Sequence, residues 1–275
     1  MKQFLIKTVG FSVNVTSYIS KHFAAKKALN LFTKPLKGHP NERQSDFLGT
    51  AFKEELTYKG QSIMTYRWLG KQETILLVHG WESNSARWKK LIKSLEHKDY
   101  NIIALDAPAH GFSGGKSFNA ILYSEFINVV VKRFNPTTII GHSVGGMASV
   151  FFQNKYKVPT IKKMILLGAP SEFTDVLKRY ADMLGYNNRV VKQLNALIIE
   201  RFGDPAEAFS TAKKLENITS KGLIIHDESD KIIPYSDALR IKESFKDSKF
   251  ITTNGYGHSL NNDVVSSHIN DFIEA

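Results

Sequence analysis

The sequence predicts an α/β domain on a mostly parallel, doubly wound sheet of about eight strands, with a helical insertion and an N-terminal helical arm. Two observations carry this. Six apolar, β-branched runs each end in Gly, Asp, Ser or Pro: Thr74 to Gly80, Asn101 to Pro108, Thr137 to Ser143, Lys163 to Pro170, Gly222 to Asp230 and Lys249 to Gly257. Continuous apolar runs mark strands buried on both faces, the habit of a parallel sheet. Amphipathic helix candidates alternate with them, at Ser85 to Glu96, Phe118 to Arg133, Gly145 to Tyr156, Pro234 to Phe245 and from Asn261 onward. That alternation implies right-handed crossovers with helices on both faces of the sheet.

Two shorter strand candidates, Thr50 to Tyr58 and Ser62 to Trp68, are joined by Lys59-Gly60 as in a hairpin. Ahead of them, His39 to Phe47 is polar and proline-bearing and reads as a linker. Between Pro170 and Lys221 no strand signal occurs, whereas Phe173 to Phe202 is strongly helical. This stretch is too long for a crossover helix, so it reads as a helical insertion covering the sheet edge. The chain shows no internal repeat and no low-complexity segment.

Composition narrows the chemistry. The 275 residues are 42% hydrophobic and 23% charged, as in a soluble globular protein. Cysteine is absent, which excludes disulfides, zinc–thiolate sites and a cysteine nucleophile, and leaves Ser, Thr, Lys or a carboxylate for covalent catalysis. No cofactor or metal is expected.

The net charge of +11 is unevenly spread: residues 1–41 hold seven lysines and no acid. Lys7 interrupts the first apolar run, so the arm is a poor secretory signal, and it lacks the ~20 apolar residues of a transmembrane helix. A cytoplasmic location is expected. From Ser17 onward, Ile19, Phe23, Ala28, Leu31 and Phe32 can share one side of a helix, with Lys21, Lys26 and Lys27 elsewhere. Such a basic amphipathic helix either packs on the main domain or touches a membrane peripherally. Nucleic acid is not an expected partner, because no recognised binding module accompanies the positive charge.

The strongest motif is "TTIIGHSVGG", Thr137 to Gly146, which holds the pattern G-x-S-x-G from Gly141 to Gly145. By composition alone roughly one chain in ten of this size would contain it, so context must decide. Here a strand precedes and a helix follows, the arrangement that projects a serine hydroxyl above the sheet. A serine nucleophile also needs a base and an orienting acid. In an open α/β sheet such groups gather at the carboxyl ends of the strands. There the chain places His79-Gly80-Trp81, Ser143, Asp227, Asp230 and His258.

From about Ile75 onward these segments resemble the α/β-hydrolase family. Leu77 to Trp88 looks like its oxyanion loop, Leu105 to Ser113 like its Asp-x-x-x-x-Gly-x-Ser segment, His226 to Pro234 like its acid-bearing loop, and Gly255 to Leu260 like its histidine loop. The order nucleophile, acid, histidine is also the family's. The resemblance implies Ser143 as nucleophile, His258 as base and Asp230 as orienting acid, with the backbone amides of Trp81 and Val144 receiving the oxyanion. Where Asp227 stands the family usually has glycine, so Asp227 competes with Asp230 for the acid role. His110, His226 and His268 are alternative bases. His142 is expected to point away from Ser143, and His79 to brace the oxyanion loop. Asp106, Gly111 and Ser113 read as loop architecture. The Trp81 side chain either lines the acyl pocket or caps the core.

The chain is accordingly expected to divide into an arm over 1–46, a hydrolase core over 47–170 and 217–275, and a helical cap over 171–216, whose Leu177, Tyr180, Met183, Leu184 and Tyr186 would give the site an apolar roof. The expected activity is cofactor-free hydrolysis of small-molecule carboxylic esters through an acyl-enzyme. Thioesterase, lipase or lysophospholipase, and carbon–carbon bond hydrolase use the same triad and stay open. A non-catalytic binding member of the fold is the reading from a different class.

Overall fold

A computed structural model of the chain describes residues 2–275. Helices α1 (Lys2–Ile19), α2 (Lys21–Thr33) and α3 (Glu42–Leu48) precede the hairpin β1 (Phe52–Tyr58) and β2 (Gln61–Trp68). Then come β3 (Gln72–Val78), α4 (Lys89–Glu96), β4 (Tyr100–Leu105), α5 (Ala120–Phe134), β5 (Thr138–His142), α6 (Val144–Tyr156) and β6 (Lys163–Leu167). The insertion supplies α7 (Phe173–Leu184) and α8 (Asn188–Phe202). After it run α9 (Thr211–Leu215), β7 (Lys221–Asp227), α10 (Tyr235–Ser244), β8 (Ser248–Thr253) and α11 (Asp263–Glu274).

The chain divides into two compact units, residues 35–171 with 211–275, and residues 1–34 with 172–210. The larger unit holds all eight strands in the order β1-β2-β4-β3-β5-β6-β7-β8. β1 pairs antiparallel with β2 and β2 antiparallel with β4, and every other pairing is parallel. The hairpin turns at Lys59 and Gly60, both with positive φ (47° and 77°), which matches the right-handed twist of the flanking strands.

Alternation along each strand divides the core into two layers. Leu76, Val78, Ile103, Leu105, Ile139, Met164, Leu166 and Ile224 face one side, where they pack with α5, α6 and α10. Ile75, Leu77, Ile102, Ala104, Ile140, Ile165, Leu167, Leu223 and Ile225 face the other, with α3, α4 and α11. With helices on both faces the sheet is doubly wound, as predicted. Burying each such aliphatic side chain contributes about 1.5–3 kcal/mol.

The segment read as a linker is instead partly helical. Asn41 and Gln44 form a reciprocal capping box that starts α3, and Phe47 stacks on Trp68 with ring centroids 5.4 Å apart. Polar composition here encodes a helix start, and the apolar residues that follow it belong to the core.

In the smaller unit the two arm helices pack with the insertion helices. Val13, Ala24, Ala25, Ala28 and Leu29 share a cluster with Leu177, Val190, Leu194, Leu197 and Ile198. The alanines have little bulk and let helices approach closely. The side expected to be apolar is therefore split: Ala28 and Phe32 turn inward with Ala24 and Ala25, whereas Ile19 at the end of α1 and Phe23 and Leu31 on α2 are exposed. The insertion's aromatics serve this packing too. Tyr180 Oη donates to the Ala28 carbonyl (3.2 Å), and Tyr186 packs against the same cluster.

Candidate active site

The site is built at the carboxyl ends of β3, β5, β7 and β8, within the larger unit. β5 lies between β3 and β6, and its last residue, His142, is followed directly by Ser143. Ser143 occupies φ 53°, ψ −129°, a backbone conformation that side-chain-bearing residues rarely adopt. The sharp turn is held by its N–H, which donates to the Leu167 carbonyl (2.8 Å). Small neighbours make it sterically possible. A Cβ on Gly141 would lie 2.6 Å from the Gly146 Cα, and one on Gly145 would lie 2.4 Å from the His79 carbonyl oxygen. α6 begins at Val144, whose amide has no partner four residues back within its own helix.

The loop after β3 passes close to this elbow. A Cβ on Gly80 would sit 3.0 Å from the Cβ of Ser143 and 3.0 Å from Nδ1 of His142. Two buried imidazoles fix the loop. His79 donates from Nδ1 to the Gly80 carbonyl (2.8 Å) and accepts at Nε2 from the Ala107 amide (2.9 Å). His110 donates from Nδ1 to the Pro108 carbonyl (2.8 Å) and accepts at Nε2 from the Glu82 amide (3.0 Å). Burial depresses the basicity of both rings, so they remain neutral and can keep these roles. The Trp81 indole lies edge-on to His110 and Phe118, each at 5.3 Å between centroids, and stays partly exposed.

Asp106 anchors the neighbouring loop. Its carboxylate accepts from the Ser85 amide and hydroxyl, the Tyr66 hydroxyl and the Phe112 amide. Gly111 must lack a side chain, since a Cβ there would fall 2.0 Å from Asp106 Oδ2. Ser113 donates to the Asp106 carbonyl (2.7 Å).

Three predicted residues converge. His258 Nε2 lies 3.0 Å from Ser143 Oγ, and His258 Nδ1 lies 2.7 Å from Asp230 Oδ2. Ser143 and Asp230 are buried, and the His258 side chain is about one-fifth exposed (20%). Burial alone would raise the Asp230 carboxyl. The hydrogen bond from His258 and those from the Ile233 and Ile232 amides (3.0 and 2.8 Å) outweigh it and hold the acid below its ordinary range. An ionised carboxylate only accepts, so His258 Nδ1 must carry the proton. In the neutral ring Nε2 is then free to accept from the Ser143 hydroxyl.

Asp227 does not compete for this position. Its carboxylate accepts from the Ser229 amide (3.0 Å), the Thr253 hydroxyl (2.8 Å) and the Tyr256 amide (2.9 Å), tying the end of β7 to the histidine loop. Burial opposes its ionisation, but these donors prevail and hold it well below the usual carboxylate range. Of the alternative bases, His110 is occupied as described, His226 hydrogen-bonds the Ile233 carbonyl (2.9 Å), and His268 lies on α11.

Two supports carried no clear sequence signal. His142 Nε2 donates to the His258 carbonyl (2.8 Å), and its ring lies 4.9 Å from that of His258. It points away from the serine hydroxyl as expected, but toward the loop that carries His258. Arg87 donates to the Ser259 carbonyl (2.9 Å) and its own carbonyl accepts from Asn261 (3.2 Å), steadying the same loop. Among the described residues no cluster of three or more His, Asp or Glu is arranged to hold a metal ion.

Comparison with known proteins agrees with this architecture. Residues 73–191 match the family described as alpha/beta hydrolase fold, and residues 207–275 match the one described as TAP-like protein. The chain is 27% identical over 165 residues to serine hydrolase-like protein 2 of Homo sapiens, an alignment that covers 58% of this chain and 51% of that protein. It is 23% identical over 233 residues to the pimeloyl-acyl-carrier-protein methyl ester esterase of Nitrosospira multiformis, covering 68% of this chain and 88% of that one. The solved esterase from Exiguobacterium antarcticum superposes with a TM-score of 0.63 at 18% identity, over 82% of this chain and all (100%) of that one. With family models matching residues 73–191 and 207–275, the chain belongs to the α/β-hydrolase fold family.

Proposed function

We propose that this chain is a serine hydrolase that cleaves small-molecule carboxylic esters through an acyl-enzyme, with Ser143, His258 and Asp230 as its triad. The observation that carries the reading is the unbroken hydrogen-bonded path from Ser143 Oγ through the His258 ring to Asp230.

In the first half-reaction His258 Nε2 takes the proton as Ser143 Oγ attacks the ester carbonyl, and Asp230 stabilises the imidazolium. The amides of Val144 and Trp81 receive the oxyanion, in keeping with the close approach of Gly80 to the elbow. His258 then protonates the departing alcohol. In the second half-reaction a water loses a proton to His258 and attacks the acyl carbon, and His258 returns that proton to Ser143 Oγ as the acid departs. The proton bookkeeping closes without a cofactor. The sequence similarity to a methyl ester esterase supports an oxygen ester as substrate.

Turnover across a panel of acyl esters and the matching thioesters, with Ser143→Ala as blank, tests this. The wild-type protein should hydrolyse oxygen esters, with the variant slower by at least about a thousandfold. Preferential thioester cleavage would reassign the substrate class. Absence of turnover on every substrate, by a folded protein, would leave a binding protein and contradict the proposal.

A further inference from the structure

Helix α1 is built the wrong way out for a helix that merely packs on protein. Its inward side is small or polar. Gly10 lies so close to α7 that a Cβ would fall 1.7 Å from the Leu184 carbonyl oxygen, and Val13 and Ser17 are buried. Asn14 clasps the turn between α7 and α8: its Nδ2 donates to the Gly185 carbonyl (2.8 Å), and its Oδ1 accepts from the Asn187 amide (2.9 Å). Asn187 Nδ2 also donates to Ser17 Oγ (3.3 Å). These contacts fix the rotation of the helix about its own axis.

The large apolar residues are consequently turned out. Phe4 (78% exposed), Phe11 (69%), Val15, Tyr18 (71%) and Ile19 (88%) follow one another at steps of seven, four, three and one. This spacing keeps them on a single stripe about 22 Å long. Cations border it. Lys7 stands three residues after Phe4 and four before Phe11, and the Arg189 guanidinium lies 5.0 Å from the Tyr18 ring. Lys21, Lys26 and Lys27 follow on the exposed side of α2.

We propose that this stripe is a docking surface for an anionic lipid bilayer, with α1 lying in the plane of the membrane interface. The phenyl, tyrosyl and isoleucyl side chains would enter the boundary between headgroups and acyl chains, and the lysines would meet lipid phosphates. Charge selects this occupant over a second copy of the chain: residues 1–34 contain six lysines and no acid, so symmetric pairing of two such arms would oppose like charges. The helix would lie on the membrane, because no described helix is long and apolar enough to cross one. The inference stands on the arm alone and does not depend on the hydrolase reading.

Co-sedimentation of the full chain with mixed phosphatidylglycerol–phosphatidylcholine vesicles, and with pure phosphatidylcholine vesicles, tests it. The wild-type protein should pellet with the anionic vesicles and only weakly with the neutral ones, and added salt should release it. Two variants remove different halves of the surface: Phe11→Ser with Tyr18→Ser, and Lys21→Glu with Lys26→Glu and Lys27→Glu. Each should bind anionic vesicles at least about tenfold more weakly, at an unchanged melting temperature, since every altered side chain is exposed. Wild-type protein that stays in the supernatant, or variants that bind as well as wild type, would overturn the proposal. So would light scattering that shows the Phe11→Ser, Tyr18→Ser variant turning a dimer into a monomer without loss of vesicle binding, which would make the stripe a contact between copies.

Discussion

Ser143 is held at a positive φ that costs about 1–3 kcal/mol for a residue with a side chain. The surrounding turn maintains it through the bond to Leu167 and the close glycines, and the outcome is a hydroxyl aimed at His258. Two aspartates end the same strand region yet do different things. Asp230 accepts from His258 Nδ1, whereas Asp227 gathers donors from Ser229, Thr253 and Tyr256. Substituting each by asparagine separates them. Asp230→Asn cannot hold the Nδ1–H tautomer, so turnover should fall by about a thousandfold to ten-thousandfold. Asp227→Asn should keep turnover within about tenfold while losing about 1–3 kcal/mol of stability in urea unfolding. Both carboxyls sit below their ordinary range in the folded chain, so the stability they supply is present at neutral pH and is lost as the pH falls below about 4. Asp227→Asn should therefore also unfold with a shallower acid dependence than wild type. Abolished turnover in Asp227→Asn with near-normal turnover in Asp230→Asn would reverse the assignment.

Elements hold the site through contacts a few atoms wide. α6 starts against the end of β3, and a Cβ at Gly145 would meet the carbonyl oxygens of His79 and Val78 at 2.4 and 2.5 Å. Gly145→Ala must push α6 away from β3, at a cost of about 1–3 kcal/mol. A displacement near 1 Å at the reacting groups should also slow turnover by about a hundredfold. Calorimetry together with ester turnover checks both effects, and an unchanged variant would show that the elbow tolerates looser packing. The sequence carried this element well, because the glycines around Ser143 have a steric reason that the pattern G-x-S-x-G already states. It carried α3 poorly, although Asn41 and Gln44 are the two halves of a capping box, because Pro40 and the polar run around them resemble a loop. On α2 the helical spacing was legible but the buried face was not. Large residues and alanines alternate there, and only the neighbouring helices decide that Ala28 and Phe32 turn inward while Phe23 and Leu31 turn out.

At the scale of the whole molecule, the sheet was legible because six parallel strands sit under two helical layers and must be apolar on both faces. The convergence of Ser143, His258 and Asp230 was legible because each follows a different strand in a fixed order. The association of the arm with the insertion was not, since residues 1–34 and 172–210 meet only in three dimensions and no local pattern names a distant partner. Supports such as His142 and Arg87 were hidden for the same reason: their partners, the carbonyls of His258 and Ser259, lie more than a hundred residues away. In the proposed function these strand ends converge to make Ser143 a nucleophile. Labelling with a fluorophosphonate probe, followed by peptide mass spectrometry, measures this most directly. Stoichiometric modification of Ser143 is expected in the wild-type protein, with strongly slowed labelling in Asp230→Asn and none in Ser143→Ala. A folded wild-type protein that takes no label at Ser143, or takes it on another residue, would contradict it.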